Sequence, residues 1–511
     1  MTARARWLLL GTCVLLRVTS LVRPCLSDDE AIYCVVAREM LRGRALYRDI
    51  VDHKPPLIYL TYAATQALGG PIGGMRLLHA MTILVVFATA LTLAHVARHL
   101  SSERWGGGPT AAAFLYVLFT TTLLDFDSLA ANCELFMMLP LTASVAVYLR
   151  GAKGANMVLI ACCGALVAIA TFYKYQAAIH LPLYAVHFVV INRRRARLAF
   201  AGCAALGAGF LVSAGLGLVI LGAFDSLSLA WFWFRFNFAY IKEGLNPGEV
   251  FCRGIVRVSF VVGAASCLWV LGVRNAIGVL ALGARSGRED RKTEWLVAGW
   301  LGVSLAAVAV GGRFFGHYFH QVTGPLAVLA APTFARLWRR RPGLIVAWVG
   351  VPIVAFFLVA VFHGEVMAAA GAPDPDYDTI ARFIDEHSTA DEELVMWGNS
   401  PVLYFMANRP LGSRFVFSNY LTGLSPATRT QSDPSVDASA NVVPAAWDMF
   451  ESDLGSRKPA MFVDLSAGNV AGYGKFPPRR FPRLNDILEH DYVFVGEVAG
   501  GRVFRRRADI E

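Results

Sequence analysis

A mainly α, polytopic helical membrane protein with a soluble α/β domain at its C-terminal end is the fold class the sequence predicts, and three observations predict it. Of the 511 residues, 56% are hydrophobic and 16% charged, and mean hydropathy is +0.50. Repeated apolar runs reach the roughly 20 residues needed to cross a bilayer. After about residue 364 the composition shifts to short amphipathic segments separated by turn residues. The net charge of +10 does not point to nucleic acid, because the basic residues cluster in short loops between apolar runs, where positive charge retains a loop in the cytoplasm.

Taken in order, the first run, 7 to 22, follows Arg4 and Arg6 and resembles a signal peptide. No small-residue cleavage site follows it, so it reads as a retained first span with a cytoplasmic N-terminus. Further apolar runs fall near 75–97, 108–124, 130–149, 156–173, 177–192, 198–224, 255–284, 295–312, 321–338 and 343–363, giving about eleven crossings. The charges test this alternation. Arg98 and Arg104, Arg150 and Lys153, "RRRAR" at 193–197, "RSGREDRK" at 285–292 and "RLWRRR" at 336–341 all fall on the N-terminal side. Run 255–284 is interrupted by Arg274 and Asn275, and counting it once preserves the agreement.

The opposite face then receives segment 25–74, the turn "DFDS" at 125–128, Lys174, the aromatic loop 225–249, "GRFFGHYFHQ" at 312–321 and the tail. Domain boundaries follow at 1–363 (membrane-embedded, with 25–74 as first external loop) and 364–511 (extracytoplasmic α/β), in a multi-pass protein of the plasma (inner) membrane. In the tail, "TIARFIDEH", "PVLYFMA" and "LNDILEH" read as helices, "ELVMWG" and "AMFVDLS" as strands, and "YVFVGEVAGGRVFRR" as a hairpin across Gly500 and Gly501. Segment 424–444 reads as a flexible loop. The tail has no cysteine, metal-ligand cluster or glycine-rich phosphate fingerprint, so it reads as a binding or stabilising module. Of the nine cysteines, Cys25, Cys34 and Cys252 fall on the external side, where a disulfide is one alternative.

Chemistry collects on that external face. Ser27 and Glu30 fit a capping box, with Ile32, Val35, Val36 and Met40 on one face of the helix that follows. Asp29 is either a solvated cap residue or a carboxylate held at the interface to take a proton from an attacking hydroxyl. In "DHKPPLIY" two prolines present Lys54 on an extended stem ahead of a second juxtamembrane helix. Its ammonium suits a lipid phosphate, or snorkels among headgroups. Arg313, His317, Tyr318 and His320 are four donor-bearing side chains in one short turn, able to bind an anion or to anchor a span at the interface. Glu134, at the head of a span, is costly there unless paired or functional.

These stretches together resemble the dolichyl-phosphate-mannose protein mannosyltransferases, glycosyltransferase family 39, and bacterial relatives such as the aminoarabinose transferases acting on lipid A. The resemblance rests on the Asp29-Glu30 pair, "AREMLRGRALYRD", "DHKPPLIY", Glu134, and "GRFFGHYF" followed by Pro325. It covers roughly residues 7–363. At Ile32 the sequence departs from the aminoarabinose group, which carries an arginine there.

The resemblance implies a GT-C fold and an enzyme that takes a sugar from a polyprenyl phosphate and attaches it, with inversion, to an extracytoplasmic acceptor hydroxyl of protein, lipid or glycan. It implies Asp29 as base within the acidic pair with Glu30, Glu134 as a second acidic position, and Lys54 and Tyr318 at the donor phosphate, whose charge Arg313 and His317 help to meet as fixed cations and donors. Asp52, His53, Asp125, Asp127 and Lys174 are further candidate contacts. No cofactor is required by that chemistry, and a divalent metal stays open. The competing class, a lipid or sugar transporter or flippase, would place ionisable residues in mid-span and break the spans with Gly or Pro. No internal repeat supports a transporter built from duplicated halves.

Overall fold

The first apolar run forms α1 (Ala3–Val22), started by Thr2, whose side-chain oxygen accepts from Ala5 N at 3.2 Å. The structure is a computed structural model and describes residues 1–23, 25–99, 108–121, 126–223, 226–283, 290–362 and 375–509. Ser27 Oγ accepts from Glu30 N at 3.2 Å and starts α2 (Asp28–Leu41), whose first turn holds Asp28, Asp29 and Glu30. Negative charge is favourable at that end of a helix. Pro55 and Pro56 keep the chain extended, and α3 (Leu57–His99) begins directly after them. It is broken at Gly70 (φ 67°) ahead of Pro71, which separates a juxtamembrane turn of helix from the apolar length beyond it.

The apolar bundle continues through α4 (Gly108–Phe119), α5 (Cys133–Gly154), α6 (Met157–Tyr173), α7 (His180–Ile191) and α8 (Ala196–Ala223). Helices α6 and α8 approach closely through glycines. A Cβ on Gly164 would lie 2.0 Å from Leu206 O, and one on Gly209 would lie 1.9 Å from Ala161 O. This is the small-residue packing by which helices associate in lipid.

Two sequence expectations change in the next stretch. The aromatic segment read as a loop is largely a helix, α9 (Leu227–Gly244). Run 255–284, read as one crossing, is two helices: α10 (Pro247–Ala264) and α11 (Ser266–Gly283), bent by 99°. Then come α12 (Asp290–Ala309), α13 (His320–Arg340) and α14 (Pro342–Val361). Among the described residues five helices are long and apolar enough to span a bilayer, and the bent pair makes a sixth. Four shorter apolar helices occupy other runs that the sequence marks as crossings. All nine cysteines are free.

The tail carries a four-stranded sheet in the order β1-β2-β4-β3. Strand β1 (Leu394–Trp397) pairs in parallel with β2 (Met461–Asp464), and β4 (Gly501–Arg506) pairs antiparallel with β2 and with β3 (Tyr492–Val498). The hairpin turn is Ala499 (φ 48°) and Gly500 (φ 82°), both left-handed as a two-residue turn of this type requires. Segment 424–444 is folded onto the protein: Leu424, Ser425, Ala438 and Val443 are buried and Arg429–Ser432 forms a helical turn. Its small and apolar residues find burial only against distant parts of the chain, which composition alone does not show. One hydrophobic core runs from Tyr33 and Val36 of α2 through Tyr59 and Trp233 to Trp397 and Phe462 of the sheet. The tail is packed on the external loop as part of that core.

Candidate functional site

A cavity of about 520 Å³ opens between the tail and the helix ends that face it. Its floor comes from the first turn of α2 and the Lys54 stem, one wall from α9 and the turn before α13, and the opposite wall from the tail. Asp29 Oδ1 accepts from Lys54 Nζ at 2.6 Å, and Lys54 Nζ also donates to Tyr33 Oη at 2.7 Å. Tyr33 Oη lies 3.3 Å from the second Asp29 oxygen. The stem is held by Tyr47, whose hydroxyl donates to Lys54 O at 2.6 Å. Asp29 and Lys54 are 27% and 23% exposed, so a ligand in the cavity reaches both.

His317 Nε2 stands between two carboxylates, 3.8 Å from Asp29 Oδ2 and 4.0 Å from Glu134 Oε1. Glu134 is 2% exposed and is paired with Lys174. The Lys174 ammonium lies 3.8 Å from the centre of the Tyr318 ring. Asp29, Lys54, Glu134, Lys174, His317 and Tyr318 therefore form one connected cluster. Burial alone would push the Asp29 carboxyl up, but the positive charges of Lys54 and His317 and the Lys54 hydrogen bond outweigh it and hold it well below the usual carboxylate range. Burial disfavours the Lys54 ammonium, yet Asp29 and Asp52 hold its affinity for the proton above the ordinary lysine value.

Other sequence-predicted residues are placed differently. Glu30 is fully buried and outside the cavity lining. Its carboxylate accepts from Leu26 N at 2.7 Å and from Ala131 N, and so ties the start of α2 to the entry of α5. Arg313 lines the cavity, but its guanidinium is engaged. It donates to Pro426 O, to Tyr240 O at 3.1 Å and to Ser425 Oγ at 2.8 Å, and stacks 3.8 Å from the Tyr240 ring centre. Asp52 accepts from Tyr59 Oη and His53 N, both at 2.6 Å. Burial favours its neutral form, but these donors and the nearby His53 and Lys54 charges leave its pKa below the usual value. His53 Nδ1 is 3.1 Å from Tyr420 Oη of the tail. His320 turns into the bundle, its Nδ1 2.8 Å from Thr120 Oγ1. Asp125 and the Asp127 side chain lie outside the described residues. No group of three His, Cys, Asp or Glu side chains among the described residues is placed to hold a metal ion.

Tyr33 and the tail residues Asn399, Asn419 and Tyr420 line the cavity without having been singled out in the sequence, and Asn237 and Tyr240 of the aromatic segment 231–240 line it with them. Tyr33 was within reach: it stands four residues after Asp29, one helical turn on the same face. The tail residues have no local signal, because only long-range packing brings them here.

The fold is an apolar helical bundle whose polar cluster lies in the cavity where the helix ends meet the tail. No protein-family profile matches the sequence, and no curated protein matches it. Among solved structures, it is similar to ArnT from Cupriavidus metallidurans bound to undecaprenyl phosphate (TM-score 0.59, 17% identity, 97% of both chains covered). It is also similar to the archaeal oligosaccharyltransferase AglB from Archaeoglobus fulgidus in complex with an inhibitory peptide and a dolichol-phosphate (TM-score 0.51, 14% identity, 99% of this chain and 74% of that one). The Archaeoglobus fulgidus oligosaccharyltransferase complex with Zn and sulfate gives TM-score 0.50 at 14% identity, over 91% of this chain and 68% of that one. At these identities the likeness establishes the fold.

Proposed function

We propose that the protein is an integral membrane glycosyltransferase, related in mechanism to glycosyltransferase family 39, that moves a sugar from a polyprenyl-phosphate donor to an extracytoplasmic hydroxyl. The observation that carries this reading is the Asp29–Lys54 pair, 2.6 Å apart and partly exposed in a cavity of about 520 Å³. The GT-C fold supports it, as do the lipid phosphates bound by ArnT and AglB in their complexes. The reading includes about eleven crossings, a cytoplasmic N-terminus and an external tail.

Asp29 takes the proton of the acceptor hydroxyl, whose oxygen then forms a bond to the anomeric carbon from the side opposite the phosphate. The bond between that carbon and the phosphate oxygen breaks, and the lipid phosphate leaves with the electron pair. Lys54, with the donors of His317 and Tyr318, meets the charge on the leaving phosphate, so no acid need protonate it. The Glu134–Lys174 pair flanks His317 and fixes the far side of the cluster. Arg313 acts here by fastening the tail wall.

The test is transfer of radiolabelled sugar from a panel of polyprenyl-phosphate sugars into membrane extract. The expected result is transfer by the native protein and a loss of at least about 100-fold in Asp29→Asn. Full turnover in a normally folded Asp29→Asn protein would overturn the role given to the carboxylate. Movement of lipid or sugar across sealed vesicles without transfer would favour a transporter. The mechanism has no step through a metal, and a chelator is expected to leave the rate unchanged.

A further inference from the structure

We infer that the acceptor is a neutral glycan, bound with its sugar rings against the tail-built wall of the cavity and its attacking hydroxyl turned toward Asp29. The inference rests on the transferase reading and specifies its acceptor.

The two walls differ in chemistry. The two lysines of the site, Lys54 and Lys174, belong to the membrane side, whereas no residue that the tail contributes to the lining is charged. Arg313, the cation beside that wall, has its guanidinium engaged by Pro426, Ser425 and Tyr240. A phosphorylated lipid headgroup would thus meet no available cation there. A peptide would need backbone partners, and the free edge of β1 is already covered. Leu394 N donates to Pro410 O at 3.0 Å and Gly412 N to Leu394 O at 2.8 Å.

What the wall does present is amides beside aromatic rings. Asn419 Nδ2 donates to Asn399 Oδ1 at 3.2 Å, and Asn419 Oδ1 accepts from Tyr473 Oη at 3.0 Å. This fixes the Asn399 amide while leaving its Nδ2 without a partner among the described residues. On α9, which adjoins the tail wall at this point, Asn237 Nδ2 is held by His53 O and Phe234 O, both at 3.0 Å, which leaves its Oδ1 as an acceptor. A fixed amide donor and a fixed amide acceptor suit hydroxyl groups, each of which both gives and takes a hydrogen bond. Phe236 of α9 packs edge-on against Tyr420 of the tail, ring centres 5.0 Å apart, and is partly open to the cavity where the two walls meet. Its apolar face suits the C–H face of a sugar ring. The His53–Tyr420 contact at 3.1 Å joins this wall directly to the Asp52-His53-Lys54 stem, so an acceptor seated on it lies beside the reacting groups.

The experiment measures binding to the full-length protein in nanodiscs loaded with undecaprenyl phosphate, by saturation-transfer NMR. The probes are neutral oligosaccharides, their phosphorylated counterparts and a Ser/Thr-rich peptide. Neutral oligosaccharides are expected to bind, and Asn399→Ala to weaken that binding about tenfold while undecaprenyl phosphate still binds. Asn441→Ala, on the same wall, serves as a second variant should the first fold poorly. Binding confined to the phosphorylated probes or to the peptide, or neutral binding untouched by both variants, overturns the inference. If undecaprenyl phosphate binds and no neutral glycan does, the glycan acceptor falls and the transferase reading stands. If the neutral glycan binds in an Asn399-dependent way but undecaprenyl phosphate does not bind, the sugar wall stands and the transferase reading falls.

Discussion

Lys54 serves two partners that cannot both be satisfied at full strength. Its ammonium is committed to Asp29 and Tyr33, which keeps Asp29 ionised and also makes it a poor base. A donor phosphate competing for Lys54 would weaken the hold on Asp29 and raise its proton affinity when a base is needed. The sign can be checked in the free protein. Asp29 titrates below its unfolded value of about 3.9, so the stability it contributes is present above that pH and lost only as pH falls through the lower folded value. Infrared titration of the carboxylate is expected to show Asp29 ionised across the neutral and mildly acidic range. In Lys54→Ala the carboxylate loses its nearest positive charge and hydrogen bond, and the titration is expected to move upward; an unmoved titration would mean that Lys54 does not set it. Asp29, Lys54 and Glu134 were legible because their cost at an interface is visible in a single sequence. The inward turn of Glu30 was not, since one of its two amide donors, Ala131 N, lies a hundred residues away.

Helix α10 illustrates why one element escaped the sequence. The hydropathy of 255–284 is continuous across Ala265, so an apolar count joins what the fold separates. The periodic clue lies upstream. Arg253 and Arg257 share one helical face and bind Gly244 O at 2.8 Å and Arg313 O at 2.9 Å, while Phe251 and Ile255 are exposed on the other. That arginine face holds the turn carrying Arg313 and His317 against the end of α9. The contact leaves no room for a side chain: a Cβ on Gly244 would stand 2.1 Å from Gly311 O, and Gly312 combines φ 60° with Val250 at 2.6 Å. Gly244→Ala is therefore expected to cost about 1–3 kcal/mol and to slow transfer by displacing the His317 turn. A fall in Tm measured in detergent together with a lower kcat is the expected outcome. Unchanged values would show that the turn adjusts without consequence.

At the scale of the whole molecule, the motif "AREMLRGRALYRD" fastens the tail to the membrane half. Arg44 bridges Glu39 of α2 and Glu393 at the start of β1, and donates to Leu411 O at 2.7 Å. Arg38 donates to Phe405 O at 3.1 Å, and Val51 N to Arg414 O at 2.8 Å. The strands and helices of the tail were readable from local patterns, but this docking was not, because each contact joins segments more than three hundred residues apart. It also explains the continuous core: Trp233 of α9 meets Tyr420 of the tail with ring centres 5.2 Å apart. Removing Arg44 leaves Glu39, 1% exposed, with Arg42 as its partner but without the bridge to Glu393 of the tail. With one partner kept, the cost falls below the about 3–5 kcal/mol of a buried charge left unpaired, yet it loosens the docking of the tail. Arg44→Ala is expected to lower Tm and to reduce transfer, since the tail supplies one wall of the cavity. Undecaprenyl phosphate binding, which the proposed mechanism assigns to Lys54 across the cavity, is expected to persist. Equal loss of both would mean that the two walls fold as one unit and that the tail shapes the donor site as well; loss of neither would remove the tail from the catalytic cavity.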